Sequence, residues 1–196
     1  MITDIAAPAT RPTIDVDMVV KVASLVEYYK LEEQLRVLGF TQTQDDQGVI
    51  CRWMKNDLLL DIMPTDEKIL GFTNRWYSYA VEYAEHTKIN DLKINYISAP
   101  IFIATKIEAF ESRGEKDYIL SHDIEDAISV IDGRKNIVSE IGSAPDEIKV
   151  FLSNKFKQLM EQSRFEEALS GYLPPDTASQ NRLDSLISKL EGISKI

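Results

Sequence analysis

Hydrophobic and polar residues alternate along residues 13–20, and this alternation predicts a β-strand. Because successive side chains of a strand point to opposite faces, Thr13, Asp15 and Asp17 share one face. The other face is apolar and consists of Ile14, Val16, Met18 and Val20. Two carboxylates therefore project side by side from a strand with an apolar back.

A hairpin is predicted further along the chain. Two apolar runs, residues 49–54 and 58–63, are separated by a short turn at residues 55–57. The second run is apolar throughout except for Asp61. A lone aspartate in a strand that is buried on both faces has to be ion-paired, protonated or bound to a metal. Arg52, on the facing strand, is the structural partner that the sequence offers.

The alternative partner of Asp61 is a metal ion. Asp15 and Asp17 are like charges two residues apart, and they repel unless a cation lies between them. Mg²⁺ takes oxygen ligands, typically one or two carboxylates together with substrate phosphates. If Asp61 joins the pair across neighbouring strands, three carboxylates can hold two metal ions that activate a hydroxyl and clamp a triphosphate. A solvated outer face is the simpler interpretation of the Asp15–Asp17 pair.

The remaining pattern divides the chain into two regions. Leucine and tyrosine residues recur at helical spacing over residues 25–38, and residues 92–97 alternate as a strand does. From Pro100 onward the spacing is helical, with no convincing strand. We therefore predict an α/β (α+β) fold, with a mixed-sheet region at 1–98 and a helical region at 99–196.

The first helix of the second region, predicted at residues 100–113, carries two cations. Lys106 and Arg113 are seven residues apart, which places them two turns apart on nearly one face. Together they can grip the phosphates of a nucleotide, Lys106 as a point charge and Arg113 as a bidentate fork. The other interpretation is that Lys106 extends from an amphipathic helix and pairs with a nearby acid.

Two acids begin the next predicted helix. Asp123 and Asp126 lie in its first turn, where negative charge favours the helix dipole. Their second possible role is to orient Lys106 or Arg113. His122 is interpreted as a local hydrogen-bonding residue rather than as a general base.

Composition limits the classes of protein and of site. With 44% hydrophobic and 28% charged residues among 196, the chain has the composition of a soluble globular protein. A single cysteine, Cys51, excludes an internal disulfide and a cysteine zinc cluster, and its apolar strand predicts a buried, inert thiol. No apolar run has the length of a membrane span and no signal-type segment begins the chain. We expect a cytoplasmic protein with no membrane partner.

Net charge bears on nucleic acid binding. The formal charge of −10 argues against a broad electrostatic footprint for nucleic acid. It does not exclude local binding of a nucleic-acid end, because catalytic metals supply positive charge where it is needed.

Four short motifs follow one another along most of the chain. Together they resemble the AbiEii/AbiGii family of bacterial nucleotidyltransferase toxins, within the DNA polymerase β-like nucleotidyltransferase superfamily. The motifs are Arg11-Pro-Thr-x-Asp-x-Asp, Asp61-Ile-Met-Pro-Thr-Asp, Ala104-Thr-Lys-x-Glu-Ala-Phe and Ser121-His-Asp-Ile-Glu-Asp.

The resemblance implies a specific chemistry: transfer of a nucleotidyl group from a nucleoside triphosphate (NTP) to a hydroxyl, with Mg²⁺ or Mn²⁺. It implies the 3′ end of tRNA as an acceptor and a neighbouring antitoxin as a partner. The catalytic, metal-binding residues it implies are Asp15, Asp17 and Asp61. The nucleotide-binding residues it implies are Lys106, Arg113, Thr13, Asp123 and Asp126.

One element of the superfamily is not present in the sequence. Relatives carry a Gly-Gly or Gly-Ser turn before the Asp-x-Asp strand, and its backbone amides approach the nucleotide phosphates. Here no glycine precedes Gly39. We expect an in-frame upstream segment that supplies this turn. We also expect an uncovered edge on the Asp15 strand, which upstream residues, an antitoxin or a second copy of the chain can cover. The alternatives are a non-catalytic or truncated nucleotidyltransferase-fold binding module, or a modifier of a protein or small-molecule hydroxyl.

Overall fold

The computed structural model forms two compact units. One, the sheet unit, consists of residues 11–84, and the other, the helical unit, consists of residues 1–10 and 85–196. The boundary thus lies at 84/85 and not at the predicted 98/99, because residues 85–98 make their contacts within the helical unit. The residues that the structure describes are 1–9, 11–13, 15–43, 51–112 and 117–196.

The sheet unit contains a mixed four-stranded sheet in the order β1-β4-β3-β2. Strand β1 runs parallel to β4, whereas β4–β3 and β3–β2 are antiparallel pairs. The protein is therefore of the mixed α/β class that the pattern predicts. Its elements are β1 (Asp15–Val20), α1 (Leu25–Val37), β2 (Thr41–Gln42), β3 (Arg52–Lys55), β4 (Leu58–Pro64), α2 (Glu67–Leu70) and α3 (Tyr77–Glu82).

Helix α1 has a local stabilising feature at each end. The side chain of Ser24 accepts a hydrogen bond from the backbone N–H of Glu27 at 3.3 Å and caps the first turn. Gly39 follows the last turn with φ +85°, a conformation that glycine adopts without steric cost. The predicted helix over residues 25–38 is confirmed.

The β3–β4 hairpin sets the register of the sheet. Lys55 pairs with Leu58, so the turn has two residues, and Asn56 takes the left-handed φ of 53° that such turns require. In this register Trp53 lies opposite Leu60, whereas Arg52 lies opposite Asp61. The two faces of the hairpin therefore differ: one is apolar and the other carries an ion pair. Residues 49 and 50 of the predicted strand lie outside the described residues.

Helix α1 covers the apolar face of the sheet. Tyr28 and Leu35 from the helix pack with Trp53, Leu60 and Ile62 from the strands, and all five are buried. The Tyr28 hydroxyl donates to the carbonyl of Ile62 at 3.2 Å, which satisfies its polar group inside the core. Because this face is filled by the core, the face that carries Asp61 is the one available for chemistry.

Strand β1 is an edge strand. In the part of the chain that the structure describes, it pairs only with β4. Val16 and Met18 are 48% and 45% exposed, so the apolar back of this strand is only partly covered. The structure thus places β1 at the edge of the sheet, where the sequence analysis expected it.

The helical unit combines a β-hairpin with packed helices. Ile103 and Ile107 of α4, Ile124 and Ile128 of α5 and Leu190 of α10 are fully buried, as their helical spacing predicts. No helix of the described ranges is long and apolar enough to cross a membrane. The elements are β5 (Glu85–Ile89), β6 (Leu92–Tyr96), α4 (Ala99–Ser112), α5 (His122–Asp132), α6 (Ile137–Gly142), α7 (Asp146–Met160), α8 (Ser163–Ala168), a 3₁₀ turn (Leu169–Tyr172), α9 (Thr177–Gln180) and α10 (Leu183–Ser194).

Candidate functional site

Asp61 is a buried carboxylate on an inner strand of the sheet unit. It lies on β4, between β1 and β3, and only 5% of its surface is exposed. Asp17 on β1 and Arg52 on β3 lie directly opposite it on either side. Residues paired in this way project from the same face of a sheet, so the register brings a second carboxylate and a guanidinium to Asp61.

Arg52 holds Asp61 in a bidentate ion pair. Its Nε donates to Oδ1 of Asp61 at 2.8 Å, and its Nη2 donates to Oδ2 at 2.7 Å. The same Nη2 donates to Oδ2 of Asp15 at 3.3 Å. The structural partner that the sequence offered for Asp61 is therefore the one observed, and the guanidinium links two of the three predicted carboxylates.

The carboxylates differ in exposure. We call Asp15, Asp17 and Asp61 the acidic face of the sheet unit. The side chain of Asp15 is 32% exposed and that of Asp61 is 6% exposed, whereas Asp17 is exposed. Thr13, in the coil before β1, is also exposed. The acidic face thus runs from a buried carboxylate to a solvent-exposed one.

The carboxylate oxygens of the acidic face are suitable ligands for a hard divalent cation, but their arrangement in this structure is not suitable. Carboxylate oxygens are the ligands that Mg²⁺ prefers. Both oxygens of Asp61, however, accept hydrogen bonds from Arg52. Within the described ranges, no three His, Cys, Asp or Glu side chains converge in a way that could hold a metal ion. A divalent cation therefore does not fit while Arg52 keeps this position.

A second cluster of predicted residues lies in the helical unit. The Nζ of Lys106 on α4 is 2.7 Å from Oδ2 of Asp126 and 3.5 Å from Oδ1 of Asp123, both on α5. The lysine side chain is 21% exposed and that of Asp123 is 8% exposed. This contact is the pairing with a nearby acid that the sequence offered as the structural interpretation of Lys106, and it also places both acids beside the lysine that they were expected to orient. Arg113 lies outside the described residues.

His122 has a local contact. Its Nδ1 lies 3.0 Å from Oε2 of Glu125, one turn further along α5, and its side chain is 67% exposed. This pair agrees with the local hydrogen-bonding role predicted for it.

Cys51 is the buried thiol that the sequence predicts. It is fully buried, and its Sγ lies 3.6 Å from the sulfur of Met63. Burial raises the pKa of the thiol to about 11, so it stays protonated and unreactive at neutral pH.

Sequence reasoning missed a third ionic cluster, centred on Arg182. Its Nε donates to Oδ2 of Asp132 at 2.8 Å, and its Nη2 donates to Oδ2 of Asp4 at 3.0 Å. The ammonium group of Lys189 donates to the backbone carbonyl of Asp132 at 2.6 Å. Asp132 is 3% exposed and lies at the C-terminal end of α5, where a negative charge opposes the helix dipole. An acid at this unfavourable position is the sequence feature that could have indicated a buried ion pair. The cluster ties the segment before residue 10 to α5 and α10.

The helical unit also contains a cleft of about 370 Å³. Its lining includes the ionisable side chains of Glu85, Tyr96 and Arg134, and a hydrogen bond from Tyr96 to Glu85 raises the pKa of the tyrosine. None of the predicted site residues lines this cleft, which is bounded by Met1, Thr3, Glu85, Thr87, Tyr96, Ile97, Ala99 and Arg134.

Comparison with protein families, with curated proteins and with solved structures found no match. The resemblance to nucleotidyltransferase toxins therefore rests on the four sequence motifs.

Proposed function

We propose that this chain is a nucleotidyltransferase with a polymerase β-like fold. It transfers a nucleotidyl group from an NTP to a hydroxyl acceptor. The observation that carries the proposal is the register of β1 with β4, in which Asp17 lies opposite Asp61 and Asp15 shares their face. Carboxylates from two neighbouring strands are the arrangement that a metal-assisted in-line displacement requires.

The proposal includes Mg²⁺ or Mn²⁺, which when bound neutralises the charge on a triphosphate. It requires the Arg52–Asp61 pair to open, because both oxygens of Asp61 accept hydrogen bonds from Arg52 in this structure. Once displaced, Arg52 is a bidentate donor suited to a phosphate.

Lys106 is proposed to bind a phosphate of the nucleotide. A lysine held by two carboxylates is positioned in advance, and its 21% exposure leaves it accessible to an anion. Asp123 and Asp126 are then positioning residues, which act through the lysine.

The acceptor and the partner follow the family resemblance: the 3′ end of tRNA and an antitoxin. The exposed edge and half-exposed apolar back of β1 are a surface that such a partner, or a second copy of the chain, can cover.

The test is incubation of the protein with each α-labelled NTP, Mg²⁺ and total cell RNA. We expect label in RNA of tRNA size, and its loss in a double variant with Asp15→Asn and Asp17→Asn. Asp57→Asn, an exposed turn residue of the same unit, is the matched control and should remain active. Absence of label in RNA, protein and small-molecule fractions with all four NTPs would contradict the proposal.

One observation favours a second candidate, a non-catalytic binding module. The Arg52 guanidinium neutralises the buried carboxylate of Asp61 without a metal. Such a module would bind no NTP in equilibrium dialysis with Mg²⁺, whereas the enzyme would.

A further inference from the structure

The guanidinium of Arg52 occupies the place that a metal ion would have to take on the acidic face. It contacts both oxygens of Asp61 at 2.7 and 2.8 Å and one oxygen of Asp15 at 3.3 Å. A buried carboxylate is costly without a charge partner, and here the chain supplies its own.

Simultaneous binding of Arg52 and a divalent cation is disfavoured for two reasons. The cation would need the same carboxylate oxygens that accept from Arg52. It would also lie close to a guanidinium in a site where Asp61 is only 5% exposed, and repulsion between like charges is stronger away from water. Either cation therefore weakens the binding of the other.

We propose that Arg52 competes with a divalent cation for Asp61 and Asp15, and thereby keeps the cation affinity of the acidic face low until it withdraws. The inference rests on the proposed function only in its choice of a divalent cation as the competitor. Because coupling is reciprocal, a cation held by Asp61 and Asp15 would weaken the contacts of Arg52 with these two carboxylates.

The experiment measures Mn²⁺ binding to the 196-residue chain, from the electron paramagnetic resonance signal of free Mn²⁺. Arg52→Met removes the charge and keeps an unbranched side chain. We expect it to bind Mn²⁺ at least about tenfold more tightly than the unaltered chain, within the usual range for coupled sites. Arg52→Lys keeps the charge but loses the planar fork, and its affinity should lie between the two.

Two controls separate competition from a general effect of charge. Lys30→Met removes one positive charge from an exposed position on α1 of the same unit and should leave Mn²⁺ affinity unchanged. Asp61→Asn, added to Arg52→Met, should abolish the gain.

If Arg52→Met and Arg52→Lys bind Mn²⁺ no better than Lys30→Met, the inference is overturned. If Arg52→Met does not fold, the Mn²⁺ affinity of Arg52→Lys decides whether the inference holds, because this variant keeps a positive charge beside Asp61. A gain in affinity without nucleotidyl transfer by the unaltered chain would reject the proposed function and leave this inference standing. Metal-dependent nucleotidyl transfer by the unaltered chain, without a gain in Mn²⁺ affinity in the Arg52 variants, would support the proposed function and overturn this inference.

Discussion

Each unit of this protein contains an aspartate–arginine–aspartate cluster, and the two clusters differ in their exposure to solvent. We call the less exposed cluster closed and the more exposed one open. In both, an arginine Nε and Nη2 bind two carboxylates, one of them almost fully buried: Asp61 in the sheet unit and Asp132 in the helical unit. In the helical unit the second carboxylate, Asp4, is also buried. In the sheet unit the second carboxylate, Asp15, is 32% exposed.

The surroundings of the two arginines also differ. Arg182 donates in addition to the backbone carbonyls of Asp132 and Ala6, and Lys189 supports the same carbonyl of Asp132. These contacts join three segments of the chain, so the arginine cannot leave without undoing packing. The side chain of Arg52 is 25% exposed, and its guanidinium donates to Asp61 and Asp15 on one sheet face. We therefore expect the Arg182 cluster to act as a structural anchor, whereas the inference above requires the Arg52 cluster to be an exchangeable site.

The largest effect is expected from Arg182→Met. Removal of this partner leaves Asp132 buried without its guanidinium, which should lower the free energy of unfolding of the helical unit by about 3–5 kcal/mol. Urea denaturation followed by far-ultraviolet circular dichroism measures this change, because most helices lie in that unit. Lys195→Met, exposed at the end of α10, is the control. A loss below about 1 kcal/mol would show that the closed cluster is no anchor.

A smaller loss is expected from Arg52→Met, because water can reach the open side of the cluster. We expect the sheet unit to lose about 1–3 kcal/mol, the usual cost of an unsatisfied polar group. Both tryptophans, Trp53 and Trp76, lie in the sheet unit, so tryptophan fluorescence reports its unfolding separately. A loss equal to that of Arg182→Met would remove the distinction between the two clusters.

Local sequence signals account for the parts of the fold that were predicted. Alternation over residues 13–20 and helical spacing over residues 25–38 are short-range features, and they correctly placed β1 and α1. Hairpin β5–β6 was only half predicted, although Asn90 and Asp91 between Ile89 and Leu92 form the two-residue turn signal, with Asn90 at φ 55°. The exposed strand β5 lacks the apolar run that marks a buried strand.

The ionic clusters mark where sequence reasoning stops. Arg52 could be named as a partner of Asp61 because both belong to one hairpin. Lys106 and Asp126, on consecutive helices, could also be linked. Arg182 pairs with Asp132 from 50 residues away and with Asp4 from 178 residues away, and no periodicity connects residues at such separations. Whether Arg52 or a metal satisfied Asp61 depended on side-chain geometry, which the sequence left open.

The Lys106–Asp126 pair tests whether exposure is the variable that separates anchors from exchangeable sites. Both side chains are about a fifth to a quarter exposed, but Lys106 also contacts the buried Asp123, so Lys106→Ala should cost about 1–3 kcal/mol of stability. If the proposed function holds, NTP binding should weaken by about 1.5–3 kcal/mol, measured by calorimetry. Lys155→Ala is the matched control, because that lysine pairs with Glu111 at similar exposure. Loss of folding with nucleotide affinity retained in the folded fraction would identify Lys106 as an anchor.

The smallest effect concerns Asp4 and appears only in acid. Hydrogen bonds from the backbone N–H of Ala6 and from Arg182 lower the pKa of Asp4 below its unfolded value of 3.8. A depressed carboxyl pKa contributes stability that is fully present above the unfolded pKa and is lost as pH falls through the native pKa. Asp4→Asn should therefore lower the free energy of unfolding at neutral pH. It should also narrow the difference in unfolding free energy between neutral and acid conditions. Circular dichroism of urea unfolding at about pH 6 and about pH 2 measures this difference.

Asp91→Asn, exposed in a hairpin turn, is the control and should follow the unaltered chain. If Asp4→Asn shows the same acid dependence as that control, Asp4 does not belong to the closed cluster energetically, and Asp132 with Arg182 and Lys189 forms the anchor without it.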